Sequence, residues 1–174
     1  MKKLIRTFAL LLTLLAGGVA CAQLTIPGTG VTFQLNSEEW RYLRTFKAGD
    51  GGDVYVYCYT ADVIRDMEGD TVLPFLRVYV NDSFDGDLLD LAYARYMVQP
   101  FQSLDEYTKG MGLPKSGGMG YIGAYTNPSD QKDYQFFMTY FRDHGVAVEF
   151  RLETTKDTFE EMESIFKEIL GSLK

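Results

Sequence analysis

The chain has 174 residues and a mass of 19.7 kDa, with 17 Lys and Arg against 24 Asp and Glu and a net charge of −7. That length predicts one domain, and 46% hydrophobic with 24% charged residues argues against wholesale disorder and against a multi-span membrane protein. The acidity argues against an electrostatic nucleic-acid binder, and one histidine with two cysteines removes histidine-pair sites, cysteine-rich zinc sites and disulfide scaffolds.

The first 22 residues read as a signal peptide, with a basic start (Lys2, Lys3, Arg6), an apolar run from Phe8 to Ala16 and a small-residue end from Gly17 to Ala22. The apolar run is short of the roughly 20 residues that a membrane span needs. Two processing routes fit. Ala20 and Ala22 satisfy an A-x-A site that leaves Gln23 as the new start. Val19-Ala20-Cys21 instead matches a lipoprotein signal that acylates Cys21, although Gly18 stands where Leu is usual. Removing residues 1–22 moves the balance from 17 basic against 24 acidic to 14 against 24, so the net charge falls from −7 to −10. Cys58 is then the remaining cysteine and has no intramolecular partner. Residues 23–174 are expected to form a single domain.

Along that domain, Val31 to Leu35 is a short strand. Trp40 to Lys47 and Asp53 to Thr60 flank a Gly-Asp-Gly-Gly turn and read as a hairpin. In its second strand Val54, Val56 and Cys58 share one face, and Tyr55, Tyr57 and Tyr59 the other. Asp62 to Asp70 is a charged connection, and Val72 to Val80 a strand with Pro74 near its start. Asp87 to Val98 carries apolar residues at helical spacing in two sets, Leu88, Ala92, Tyr96 and Leu89, Tyr93, Met97. Asp85 or Asp87 caps this helix and Pro100 ends it. Ser103 to Glu106 has a capping-box pattern, which predicts a short helix as far as Lys109. Gly110 to Gly118 is a crossing, and Met119 to Thr126 a strand. Lys156 to Leu173 closes the chain as a helix with Phe159, Met162, Phe166, Ile169 and Leu173 in one apolar stripe.

Asp133 to Arg142 and Val146 to Thr154 form the clearest hairpin, with two registers open. A two-residue turn sets Phe137, Thr139 and Phe141 with Val148, Phe150 and Leu152, leaving Phe136, Met138 and Tyr140 beside Glu149 and Arg151. A three-residue turn, Asp143-His144-Gly145, gathers Tyr134, Phe136, Met138 and Tyr140 with Val146, Val148, Phe150 and Leu152 on one apolar face. The second separates apolar from charged residues better and is the expected register.

Tyr134 to Tyr140, the Gly turn, Val146 to Thr155 and the final Phe159 to Lys174, with its Ile169-Leu170-Gly171-Ser172-Leu173 ending, resemble the end of PsbP/DcrB-like domains. Val31-Thr-Phe-Gln-Leu35 followed by Trp40 resembles that family's opening, with Asn36 where Pro is common. The order of elements by itself indicates an α+β domain. The resemblance implies an α-β-α layered sandwich: a central, mainly antiparallel sheet, helices on both faces, an N-terminal hairpin and a C-terminal helix. It also implies an extrinsic or periplasmic accessory protein that binds or assembles rather than catalyses; a nuclear-transport relative of the fold binds a small GTPase. No shared catalytic motif comes with it.

The residues that could carry chemistry read blandly. His144 lies in a turn, a poor place for a base that must be held by a third group. Cys58 alternates with core valines and behaves as a small buried hydrophobe. Asp82, Asp85, Asp87 and Asp90, and the weaker set Asp62, Asp66, Glu68 and Asp70, lack calcium-loop spacing. In the glycine-rich stretch from Lys109 to Gly120, Pro114 stands where a phosphate loop needs Gly. The expectation is therefore no catalytic residue, no metal, no cofactor and no enzyme. The positive feature is aromatic content, 12 Tyr, 12 Phe and 1 Trp, with Tyr55, Tyr57 and Tyr59 as a candidate binding face. The expected protein is exported, a monomer or weak oligomer, binds a protein partner, and touches a membrane only through a lipid on Cys21. A small hydrolase using carboxylates, and a binder of an apolar ligand or glycan, are the alternatives.

Overall fold

The computed structural model describes residues 21–106 and 117–174. Residues 1–20 of the expected leader of 22 residues, and residues 107–116 of the expected helix and crossing, lie outside that range. Among the described residues, no helix is long and apolar enough to cross a membrane.

The chain enters through β1 (Cys21–Thr25) and β2 (Thr32–Asn36), a separate antiparallel hairpin. There follow β3 (Trp40–Lys47), β4 (Asp53–Tyr59), the two-residue strands β5 (Ile64–Arg65) and β6 (Thr71–Val72), and β7 (Phe75–Asn81). Helix α1 (Leu88–Val98) leads to β8 (Gln102–Glu106), β9 (Met119–Thr126), β10 (Asp133–Asp143) and β11 (Val146–Thr155). A short 3-10 turn, Lys156–Thr158, opens into α2 (Phe159–Gly171). Seven strands make one antiparallel sheet in the order β3-β4-β7-β11-β10-β9-β8.

Both faces of this sheet are covered, so its central strands carry large side chains on each side. On one face Leu76, Val78, Phe137, Phe141, Val148, Phe150 and Leu152 pack with Met162, Phe166 and Leu170 of α2 and with Phe33 and Leu35 of the first hairpin. On the other, Val54, Val56, Tyr79, Phe136, Met138, Tyr140 and Ala147 pack around Leu91 of α1. The expected α-β-α layering is the observed one. The C-terminus is tied to the first hairpin, since Thr32 and Lys174 exchange backbone hydrogen bonds at 3.0 Å in both directions.

Three expectations give way. The hairpin of β10 and β11 takes the two-residue turn: Asp143 faces Val146, and His144 and Gly145 have φ of 49° and 85°. Two positive φ values in a two-residue loop match the twist of the strands. The register therefore puts Phe136, Met138 and Tyr140 opposite Glu153, Arg151 and Glu149. The charged residues did not have to face water, because they pair beneath α1. The helix expected from Ser103 to Lys109 is strand β8 up to Glu106, because pairing with β9 overrides the capping pattern. The strand expected from Val72 to Val80 is broken after Val72, and β7 starts at Phe75, since Pro74 has no N–H for a ladder. The charged connection of residues 62–70 contains β5 and leads into β6.

Candidate functional site

Helix α1 begins at a capping box: the Asp87 carboxylate accepts from the amides of Leu89 and Asp90, and Asp90 accepts from the amide of Asp87. The helix holds two charged residues, Asp90 and Arg95. Asp90 is used in the cap, and Arg95 turns inward.

Arg95 stands over the sheet. Its guanidinium lies 4.1 Å from the centre of the Tyr79 ring, donates through Nε to Glu149 Oε2 at 3.0 Å, and approaches Asp50 Oδ2 at 3.8 Å. Tyr79 donates its hydroxyl to Asp50 at 2.9 Å and accepts from Asn81 Nδ2 at 2.9 Å. Burial works against the Arg95 charge, but Glu149, with Tyr79 and Asp50 beside it, raises the guanidinium's pKa overall. Burial, and then the Glu149 charge, push the Tyr140 phenol well above its ordinary value.

A second rung follows along β11. Arg151 donates to Gln99 Oε1 at 2.9 Å, meets Glu153 Oε2 at 2.8 Å, and lies 4.2 Å from the Phe136 ring centre and 4.8 Å from that of Tyr125. Arg77 meets the other oxygen of Glu153 at 2.8 Å, and Tyr125 donates to Glu153 at 3.2 Å. The Tyr125 phenol is pushed up to about 12 by burial and the Glu153 charge. A cavity of about 390 Å³ opens beside this ladder, between α1 and the turn joining β3 to β4. Gly52 of that turn has no room for a side chain, since a Cβ there would fall 2.3 Å from Tyr79 Cε2. The three carboxylates of the ladder, Asp50, Glu149 and Glu153, are each engaged by arginine. Such a ladder orders the α1 face.

The outer face of α1 is different. Leu89, Tyr93, Tyr96 and Met97 recur at helical spacing and face solvent, with Leu89, Tyr93 and Met97 between 61% and 67% exposed. Leu104 of β8 is also exposed, and Tyr96 meets Phe101 edge to face at 5.5 Å. Arg95 is inside, and Asp90, engaged in the cap but exposed, is the charge at the N-terminal end of this face, so the stripe from Tyr93 onward carries none. The sequence signal was the pair of apolar sets at helical spacing. Neither set contains Leu91, the residue that the helix buries, and with Leu91 on the core side both sides of the helix are apolar.

The expected site residues lie elsewhere. Tyr55, Tyr57 and Tyr59 do share one face of β4, on the α2 side of the sheet. Tyr59 is buried, 5.5 Å from the Trp40 ring, and donates to Asp62 at 3.4 Å. Tyr57 is half-buried against Phe33 and Tyr42, and Tyr55 is half-buried. Burial pushes all three phenols up. Cys58 is buried on the α1 side, and burial pushes its thiol up, against nucleophilic use. Cys21 is exposed at the start of β1. His144 is exposed at the hairpin tip, 2.8 Å from Asp143.

Among the described residues, Asp66, Glu68 and Asp70 bring carboxylates close enough to hold an ion. Their place is already taken by the Lys132 ammonium, which pairs with Asp66, with Asp70 at 2.7 Å and with Glu68 at 3.6 Å.

No protein-family model matches the sequence, and no curated protein matches it. Solved structures do. The chain is similar to the solution structure of cyanobacterial PsbP (CyanoP) from Synechocystis, at 15% identity over 91% of this chain and 94% of that one, with a TM-score of 0.55. It also aligns with PA94 of Pseudomonas aeruginosa, a protein of unknown function described as a putative regulator, at 9% identity over 88% and 96% of the two chains, with a TM-score of 0.49. LpqN of Mycobacterium tuberculosis, involved in cell envelope biogenesis, aligns at 14% identity over 88% and 89%, with a TM-score of 0.47. The fold is PsbP-like.

Proposed function

We propose that this chain is an exported, extracytoplasmic accessory protein that binds another protein through the outer face of α1 and performs no chemistry of its own. The observation that carries the reading is the uncharged stripe of Leu89, Tyr93, Tyr96 and Met97 on an otherwise acidic molecule. Exposed apolar stripes of this kind mark interaction surfaces. Tyrosine and methionine suit such a surface, since tyrosine gives rigid contact area and methionine adapts its shape. The reading agrees with the ladder beneath, whose carboxylates are engaged by arginine, and with the signal-like N-terminus. It places recognition on Tyr93 and Tyr96 rather than on Tyr55, Tyr57 and Tyr59, which pack largely inward.

The partner is a protein presenting an uncharged apolar surface. Co-purification from the native envelope tests this. A Tyr93→Ser/Met97→Ser variant should lose the partner, and a Tyr55→Ser variant should retain it. Equal recovery with the Tyr93→Ser/Met97→Ser variant defeats the reading, and loss of a dimer in place of a second protein makes the stripe a self-association surface.

The same reading includes a lipid on Cys21. Cys21 and Ala22 supply the rungs opposite Asn36 and Leu35 in the ladder between β1 and β2. Cleavage after Ala22 would delete these two rungs, whereas processing ahead of Cys21 keeps them. The intact mass of the mature protein should equal the chain from Cys21 plus acyl groups; an unmodified chain starting at Gln23 contradicts this.

A further inference from the structure

We propose that the free edge of β3 accepts an extended acidic segment of a partner protein as an eighth strand. Among the described residues, β3 closes one side of the seven-stranded sheet and pairs with β4 alone. After the buried Trp40, every residue from Arg41 to Lys47 is exposed. An edge of this kind offers unpaired backbone donors and acceptors, the basis of strand addition.

The side chains state what would fit. Arg41, Arg44 and Lys47 lie on this strand with no acidic residue, in a chain whose net charge is −7. Lys47 is neutralised locally by Asp53 at 3.0 Å. Among the described residues, Arg41 and Arg44 have no ion pair. The Arg44 guanidinium lies 5.3 Å from the centre of the neighbouring Phe46 ring.

A bulge between Tyr42 and Arg44 sets the spacing. Arg41 faces Cys58 and Arg44 faces Val56, which are two residues apart on β4. The two arginines thus occupy successive positions on one face, about 7 Å apart at the rise of a strand. An added strand with carboxylates at alternate residues would meet both. The same charges oppose pairing between two copies of this chain, because antiparallel β3 edges would set arginine against arginine. This edge is separate from the α1 stripe, and the proposal stands whether or not that stripe docks a partner.

The test is titration of the purified protein with a capped peptide, Thr-Glu-Val-Glu-Val-Thr, followed by backbone amide NMR shifts. Saturable shifts should centre on β3 and weaken at high salt. A peptide with Lys for Glu should bind at least tenfold more weakly. The Arg41→Glu/Arg44→Glu variant should reverse that preference, with its melting temperature showing that it is folded. N-methylation of alternate peptide bonds should abolish binding if backbone hydrogen bonds are made. The Tyr93→Ser/Met97→Ser variant should bind the acidic peptide unchanged. Equal binding of both peptides, retained binding after N-methylation, or shifts away from β3 would overturn the proposal. A response of the two arginines to anionic lipid vesicles but not to the peptide would also overturn it, and would make the edge a membrane contact.

Discussion

Glu153 has no exposed side-chain surface and balances Arg77 and Arg151 at once. Removing one partner of a buried ion pair strands the other charge, at a cost of about 3–5 kcal/mol. Glu153→Ala should lose about that much in denaturant unfolding. Gly52 is a second sensitive position, because a methyl group would press on the Tyr79 ring and force it off its hydrogen bonds. Gly52→Ala should cost about 1–3 kcal/mol, the range for overpacking. Neither residue marks itself in the sequence. A glutamate two places from an arginine on a strand looks like a solvated face, and only the arginine of α1 and that of β7 reveal that the face is buried.

At the scale of elements, α1 separates structure from recognition. Leu91 is fully buried and is the anchor of the helix on the sheet. Leu91→Ala should destabilise the fold by about 2–5 kcal/mol, while Tyr93→Ser on the opposite side should stay within about 0.5 kcal/mol. Comparable losses in thermal unfolding would mean that the outer stripe is part of the fold. The β5–β6 hairpin has its own anchor in Lys132. The hydrogen bond from Lys132 holds the Asp66 carboxyl below the usual carboxylate range. Its contribution is present above the unfolded value of roughly 3.9 and is lost as pH falls through the lower folded value. Asp66, principally, raises the pKa of Lys132, so at the alkaline end the contribution is present below roughly 10.4 and lost as pH rises through the higher folded value. The stability difference between wild type and Lys132→Met should therefore be flat at neutral pH and shrink at both extremes.

The same elements show what could be read from the chain. The α2 stripe and the β3–β4 hairpin were legible because one period decided each. The register of β10 on β11 was not, because segregating charge from apolar residues assumes a wet face, and α1 makes that face dry. β8 was lost to a capping pattern that is a local signal, whereas its pairing with β9 is not. The candidate site was half legible: two apolar sets on α1 were visible, but that Leu91, outside both sets, is the buried anchor and that Arg95 turns inward could not be read from the spacing.

For the whole molecule, a PsbP-like sheet covered on both sides leaves two unusual surfaces: an uncharged helix stripe and a cationic sheet edge on an acidic body. The helix stripe is the surface on which the proposed function rests. It is tested by placing a photo-crosslinking side chain at position 93 in the native envelope, and in parallel at Glu160 of α2. A discrete adduct from position 93, absent from position 160 and reduced at least fivefold by Leu89→Asp, is the predicted result. The same adducts from both positions, or an adduct indifferent to Leu89→Asp, would contradict it.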